Sequence, residues 1–444
     1  MSSQYTKKDI LRMVQEQDAE FIRLQFTDIF GRLKNVAIMA SQTEKALKNQ
    51  VMIDGSSVEG FTRIHESDQY LVPDRDTFAI LPWRPRDGSV ARLICEVYNP
   101  DGTPSAGDPR QILKRQLEEA AKEGYEFNVG PECEFFLFET DESGAVTTKT
   151  GDEAGYFDLS PIDHGETTRR EICMNLEAMG FEVETSHHEV AHGQHEIDFK
   201  YADALTTADN IMTFKLAVKS IAQENGLYAT FMPKPVNNTD GSGMHINMSI
   251  YKDGQNIFAD AEDSRGLSAE AYHFIAGIMK HIKAITAITN PLVNSYKRLV
   301  PGYEAPCYVT WSENNRSALI RIPAVRGEDT RIELRSPDPA CNPYLALAVC
   351  LAAGLDGMRG KMEPPEEITE NVFDFDAQQR AKRGIESLPA NLEQALAELQ
   401  KDPLICDVLG AHALECYVRG KQKEWEEYKT QVSQWEIDRY MKTY

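Results

Sequence analysis

The sequence predicts an α+β chain in two unequal parts, and three observations predict it. Short alternating or β-branched runs dominate the first hundred residues, at Glu20 to Leu24, Gly31 to Ile38 and Ala91 to Tyr98. Residues Asn99 to Pro109, NPDGTPSAGDP, then form a linker with three Pro, two Gly and no large apolar residue. Beyond it strands and helices interleave. The division is placed near residue 105, giving a small part, 1–105, and a large part, 106–444. A chain of 444 residues and 50.0 kDa has room for such a pair.

The elements follow in order. Thr27 to Gly31 reads as a hairpin turn between the first two strands. Asp108 followed by Pro109 is a helix N-cap with Pro at the first helical position, so a helix runs from Pro109 to Glu123 and stops at Gly124. Strands are expected at Phe127–Phe138, Phe181–Val190, Glu196–Tyr201, His245–Tyr251 and Arg331–Arg335. Helices are expected at Thr167–Met179, Ala202–Asn225, Ser268–Thr289, Pro343–Gly357 and Leu392–Lys401, and the charged tail Val418–Tyr444 is also periodic. Leu345 to Leu355 is apolar throughout but about half the length that spans a bilayer, so it reads as a buried helix. No internal repeat or low-complexity segment is present.

Charge narrows the function. A net charge of −23 argues against general nucleic-acid binding and against a polybasic membrane anchor. The N-terminus lacks the apolar core of a signal peptide, and none of the eight cysteines forms a C-x-x-C pair. They read as reduced core residues of a cytoplasmic protein rather than a disulfide or zinc framework.

Acidic residues carry the chemistry. On a strand at Pro131-Glu132-Cys133-Glu134, period two places Glu132 and Glu134 on one face of an otherwise apolar run. Two carboxylates there repel and lose hydration unless a divalent cation joins them; the alternative is an edge strand with two solvated Glu. His188-Glu189-x-x-His192 matches the zinc-peptidase pattern, which needs a helix. The preceding residues alternate and Gly193 follows, so a hairpin is expected instead. Its register pairs Glu189 with Glu196 across a His192-Gly193 turn, with Cβ atoms about 5 Å apart. An exposed polar hairpin of another register is the competing reading. Asp240-Gly241-Ser242-Gly243 leads into a strand with His245, Asn247 and Ser249 on one face, and Glu333 and Arg335 share another. Oxygen ligands with one imidazole suit Mg²⁺ or Mn²⁺ better than zinc.

Six arginines lie between residues 298 and 335: Arg298, Arg316, Arg321, Arg326, Arg331 and Arg335. Arginine grips carboxylate and phosphate bidentately, and carboxylate-bound metals beside arginines are equipment for phosphoryl transfer. Neither a Walker A loop nor a kinase signature is found. Pro301-Gly302-Tyr303-Glu304-Ala305-Pro306 is a loop of the kind that closes as a lid.

Taken together, VMIDGSS from Val51, PECEFF from Pro131, HHEVAHGQHEI from His187, KPVNNTDGSGMH from Lys234, PGYEAP from Pro301, NRSALIRIPAVRG from Asn315 and IELRSPDPACNPYLALA from Ile332 resemble the class I glutamine synthetases of the bacterial type. The resemblance implies a small N-terminal β-grasp domain, then a larger catalytic α/β domain with a curved antiparallel sheet. It implies ligation of ammonia to glutamate with ATP as co-substrate, in a dodecamer of two hexameric rings whose active sites are shared between subunits. At least two cations per site are implied, one on Glu134, Glu189 and Glu196 and one on Glu132, His245 and Glu333. Asp240, Gly241, Arg298, Glu304 and Arg335 would hold glutamate; Glu184, Tyr201, Asn247, Ser249, Arg316 and Arg321 would meet ATP. Asp54, Glu304 and Arg316 would be catalytic, Asp54 reaching the neighbouring subunit's site. Phe373 stands where adenylylated members carry Tyr, and Arg63 where the shorter branch carries the arginine linked to glutamine feedback. Asp240 stands where other members carry Asn. A relative that uses another amine would share the metal and ATP sites, and a pseudoenzyme would have lost metal ligands, whereas all six are present. Regulatory protein partners are compatible with either.

Overall fold

A computed structural model describes residues 4–61, 67–83 and 88–444. Two sheets organise it. The first has five strands in the order Leu33–Met39, Ala19–Thr27, Ser89–Tyr98, Asp68–Ile80, Val51–Asp54. Its first and last long strands, Ala19–Thr27 and Ser89–Tyr98, lie parallel, and its other pairings are antiparallel. The strand Asp68–Ile80 escaped the sequence pattern: Pro73 and the charges at 74–76 break the alternation, and the register slips between Asp74 and Ala79.

A larger curved sheet of ten strands is built around Tyr125–Glu139. Met244–Lys252 and Gln194–Phe199 flank that strand, both antiparallel. Beyond Met244–Lys252 come Ile332–Leu334, Ile320–Ile322 and Trp311–Glu313, and beyond Gln194–Phe199 comes Val183–His188. Period two divides the two faces. Phe127, Val129, Cys133 and Phe135, with Met244, Ile246 and Met248, face a core shared with the helices, whereas Glu132, Glu134, His245 and Asn247 face away from it. That core takes in the buried helix Pro343–Gly360, capped by Asn342 with Pro343 at its first position. No helix among the described residues is long and apolar enough to cross a membrane.

The expected helix after the linker runs Pro109–Lys122 with Asp108 as its cap. The tail divides into Ala411–Lys429 and Gln434–Tyr440, the second started by a capping box at Ser433.

Arg110 joins the two halves. Its side chain is 3% exposed and lies 2.8 Å from Asp74, Glu96 and Asp209. Asp74 and Glu96 stand on adjacent strands of the small sheet, and Asp209 on the helix Ala204–Glu224, where Tyr344 also donates to it at 2.7 Å. One buried cation thus serves three carboxylates from both parts of the chain. Arg110→Met takes the shared cation from Glu96 and Asp209, leaving Asp209 with the Tyr344 hydroxyl and Glu96 with Lys114, and is expected to lower stability by about 3 kcal/mol. Urea unfolding of the two proteins checks this.

Candidate active site

The site is assembled on the outward face of the large sheet. Register alone brings the acids together: Glu132 pairs with His245 on one side and Asp198 on the other, and Glu134 pairs with Glu196. His245 Nδ1 lies 3.0 Å from Glu132 and 3.6 Å from Glu333. Asn247 donates to the other oxygen of Glu132 at 2.9 Å. Glu134 accepts from Gln194 at 2.6 Å and from the Gly243 backbone at 2.9 Å. A Cβ at Gly243 would sit 2.6 Å from the Arg298 guanidinium and 3.0 Å from His245 Nε2, so only glycine lets this loop pass.

The hairpin forms, but its register differs from the expected one. His187 pairs with Glu196 and His188 with His195, and the Glu189 amide donates to Gln194 O at 2.8 Å. Glu189 and Glu196 are therefore not opposite each other. The Ala191–Gln194 turn is present, with Gly193 at φ +73°. The connection is four residues, 190–193, instead of two, and Ala191 within it is buried against Phe136 and Phe138. His188 ends a strand and His192 sits in the turn, so the zinc-peptidase helix does not exist. His188 instead turns inward to Asp152 at 2.8 Å, in a buried group with Asp163 and His195 that already holds the Arg169 guanidinium.

Electrostatics reflect this crowding. Burial, then the charge of Glu189, pushes the Glu134 carboxyl up to about 8. Burial and the neighbouring Asp198 and Glu134 raise Glu196 strongly. Burial also acts on Glu132, but hydrogen bonds from His245 and Asn247 outweigh it and hold the group at about 2. A divalent cation would relieve this crowding, since it favours the charged form of every carboxylate around it. Besides the Asp152–Asp163–His188–His195 group, the described residues include two sets in this cleft whose donor atoms lie within 4.8 Å of one another, Glu132–His245–Glu333 and His187–Glu196–Asp198; Glu134 and Glu189 belong to neither set. The residues fit two hard cations. Asp198 and His187 were missed; the Glu196-Ile197-Asp198 alternation was the available signal for Asp198.

Arginines face the acids. Arg335 and Arg321 both contact Glu333 at 2.5 Å. Arg298 is 2% exposed and donates to the carbonyls of Ser336 and Arg335. Arg298, Arg316, Arg321 and Arg335 line one cleft of about 540 Å³, which Glu189, Asp240, Gly241 and Glu304 also line. An adjoining cavity of about 300 Å³ contains Glu184, Tyr201, Asn247 and Ser249, and the two share Glu132 and Asp198. Tyr156, from a loop without sequence signal, meets Arg316. Asp54 is not in this cleft: it is exposed on the small sheet, at the end of Val51–Asp54. Hydroxyls of Ser56 and Ser57 hold its carboxyl below the usual range. Arg63 lies outside the described residues.

Carboxylates grouped for two cations, opposite arginines and beside a second cavity, define a metal-dependent enzyme of the phosphoryl-transfer kind. The glutamine synthetase β-grasp domain matches residues 18–100, and the glutamine synthetase catalytic domain matches residues 106–440. A glutamine synthetase of Clostridium saccharobutylicum is 60% identical over 442 residues, all of both chains. One of Staphylococcus aureus strain N315 is 55% identical over 441 residues, 99% of each. Among solved structures, a GmaS–ADP complex superposes with a TM-score of 0.88 at 34% identity, covering 98% of this chain and 99% of that one. Plasmodium falciparum glutamine synthetase gives 0.88 at 26% identity over 99% of each. The chain belongs to the glutamine synthetase family. It is therefore an ATP- and metal-binding ligase of nitrogen metabolism.

Because Glu134 holds a proton below about pH 8, cation binding to the metal-free protein is expected to release protons at pH 7 and to tighten as pH rises toward 8. Calorimetric titration with Mg²⁺ in two buffers of different ionisation heat measures this; equal heats would contradict it.

Proposed function

We propose that this enzyme joins ammonia to L-glutamate through γ-glutamyl phosphate, giving glutamine, ADP and phosphate. The observation that carries the reading is the meeting of Glu132, Glu134, Glu196 and His245 on one sheet face, opposite Arg298, Arg321 and Arg335. Glu134, Glu189 and Glu196 are assigned to one cation and Glu132, His245 and Glu333 to the other, with Mg²⁺ or Mn²⁺ as the ions. When bound, such cations neutralise the nucleotide's phosphates.

The chain's own groups supply the rest. Gly241, Arg298 and Arg335, with Asp240 and Glu304 at the rim, hold glutamate with its γ-carboxylate toward ATP. Glu184, Tyr201, Asn247 and Ser249 take the nucleotide, and Arg316 and Arg321 reach its phosphates. The γ-carboxylate oxygen attacks the terminal phosphorus and ADP leaves, while the arginines offset charge spreading over the transferred oxygens. Ammonium has no lone pair to donate, so Asp54 must first bind it and take a proton. Ammonia then attacks the acyl carbon and phosphate departs. The exposed Asp54 carboxylate, held ionised by two serines, is suited to this role from a neighbouring subunit. That favours a homo-oligomer, and we take the assembly to be the family's dodecamer of two hexameric rings. Glu304, at the apex of its loop, covers the acyl phosphate against water.

We assign the protein to the bacterial, non-adenylylated branch, in the cytoplasm, with 1–105 and 106–444 as its domains. Phe373 offers no acceptor hydroxyl, and Arg63 is proposed to mediate inhibition by glutamine.

ADP release with glutamate and ATP, with and without ammonium and across Mg²⁺ and Mn²⁺, tests the central reading; release that ignores glutamate would end it. Asp54→Ala is expected to lower kcat/KM for ammonium by about 10²–10⁴-fold while leaving ATP affinity intact. Glu304→Ala is expected to release several phosphates per glutamine formed, read by parallel assays of both products. In Arg63→Ala, steady-state assays should find glutamine inhibition abolished and uninhibited turnover retained.

A further inference from the structure

The Glu304 loop is held in place by a second loop, at two points. Its own geometry is simple. Ala305 and Pro306 are buried, the Ala305 amide donates to Tyr303 O at 2.7 Å, and this tight turn leaves Glu304 exposed at the apex. The Glu304 amide donates sideways, to Asp240 Oδ1 at 3.2 Å. One residue earlier, the Lys234 ammonium lies 3.6 Å from the centre of the Tyr303 ring. The same ammonium donates to the Thr239 carbonyl.

Lys234 is well placed to act as an anchor. It is 8% exposed, and its backbone exchanges two hydrogen bonds with the Asn294 side chain, at 2.8 and 3.0 Å. The Ser242 amide donates to Pro233 O at 2.8 Å, closing residues 233–242 into a compact loop. Burial works against the Lys234 charge, and Asp240 opposes that effect. Lys234, against Thr239 O and the Tyr303 ring, and Asp240, against the Glu304 amide, thus stand on either side of the base of the lid.

We propose that Asp240 and Lys234 are positioning residues that latch the Glu304 loop over the cleft and so limit hydrolysis of the acyl phosphate. The inference rests on the proposed reaction and deepens it. A carboxylate is a stronger acceptor than a side-chain amide, and a neighbouring cation prevents its charge from repelling Glu304. The acidic residue at 240 is thereby explained by what it does to the lid, in addition to its place at the rim of the glutamate pocket.

Two readouts on the full chain test the latch. Amide hydrogen exchange at Glu304, measured without substrates, is expected to quicken about tenfold in Asp240→Ala. Asp240→Asn keeps an acceptor and should fall between the two. Phosphate released per glutamine formed should rise severalfold in Asp240→Ala and in Lys234→Met, and return toward the wild-type ratio in Lys234→Arg, which still stacks on Tyr303. A purely structural role would lower turnover without moving this ratio. Unchanged exchange at Glu304, or an unchanged ratio in Asp240→Ala, overturns the proposal. If the wild-type protein makes no glutamine, the proposed reaction fails instead, and the exchange arm still decides whether the latch exists.

Discussion

Glu134 and Glu196 face one another across two adjacent strands, both more than nine-tenths buried. Like charges so placed repel, and neither has bulk water to spread its charge into. Everything around them answers that conflict. Gln194 and the Gly243 amide donate to Glu134, Arg298 lies close behind, and burial with the charge of Glu189 pushes the Glu134 carboxyl up to about 8. A sheet built only for stability would put apolar side chains at these positions. The cost of keeping acids there makes sense if their partners arrive from solution.

The same logic explains why the core lies on one side of the large sheet. The central strand Tyr125–Glu139 gives Phe127, Val129, Cys133 and Phe135 to the helices, and this packing fixes its register against both neighbours. A slip of one residue would send the acids inward and the aromatics out. The apolar face therefore positions the polar one. Arg110 extends that rigidity to the small sheet, since its three acidic partners cannot separate without stranding a buried charge.

Much of this was legible from residue order. Glu132 and Glu134, then His245, Asn247 and Ser249, fell on common faces because period two is a local property of the chain. The Asp108-Pro109 helix start is equally local. The hairpin register was not legible, because the four-residue connection buries Ala191 against Phe136 and Phe138, some fifty residues away in sequence. The strand Asp68–Ile80 was missed for a related reason: Asp74 is held by Arg110, a residue outside the small sheet. Asp198 was within reach, two residues beyond Glu196 on the same strand and so on the same face. The Glu304–Asp240 contact joins two irregular loops, and no periodicity announces such a meeting.

The parallel pairing of Ala19–Thr27 with Ser89–Tyr98 sets an order of events at the ribosome. Phe21 lies beside Val90, so the strand that emerges early has its lengthwise partner only after some seventy more residues have been made. Until then Ala19–Thr27 can pair only with Leu33–Met39, which leaves its other edge open. Closure by Ser89–Tyr98 comes just before the helix carrying Arg110 leaves the exit tunnel, so the small sheet is completed as its connection to the rest of the molecule appears.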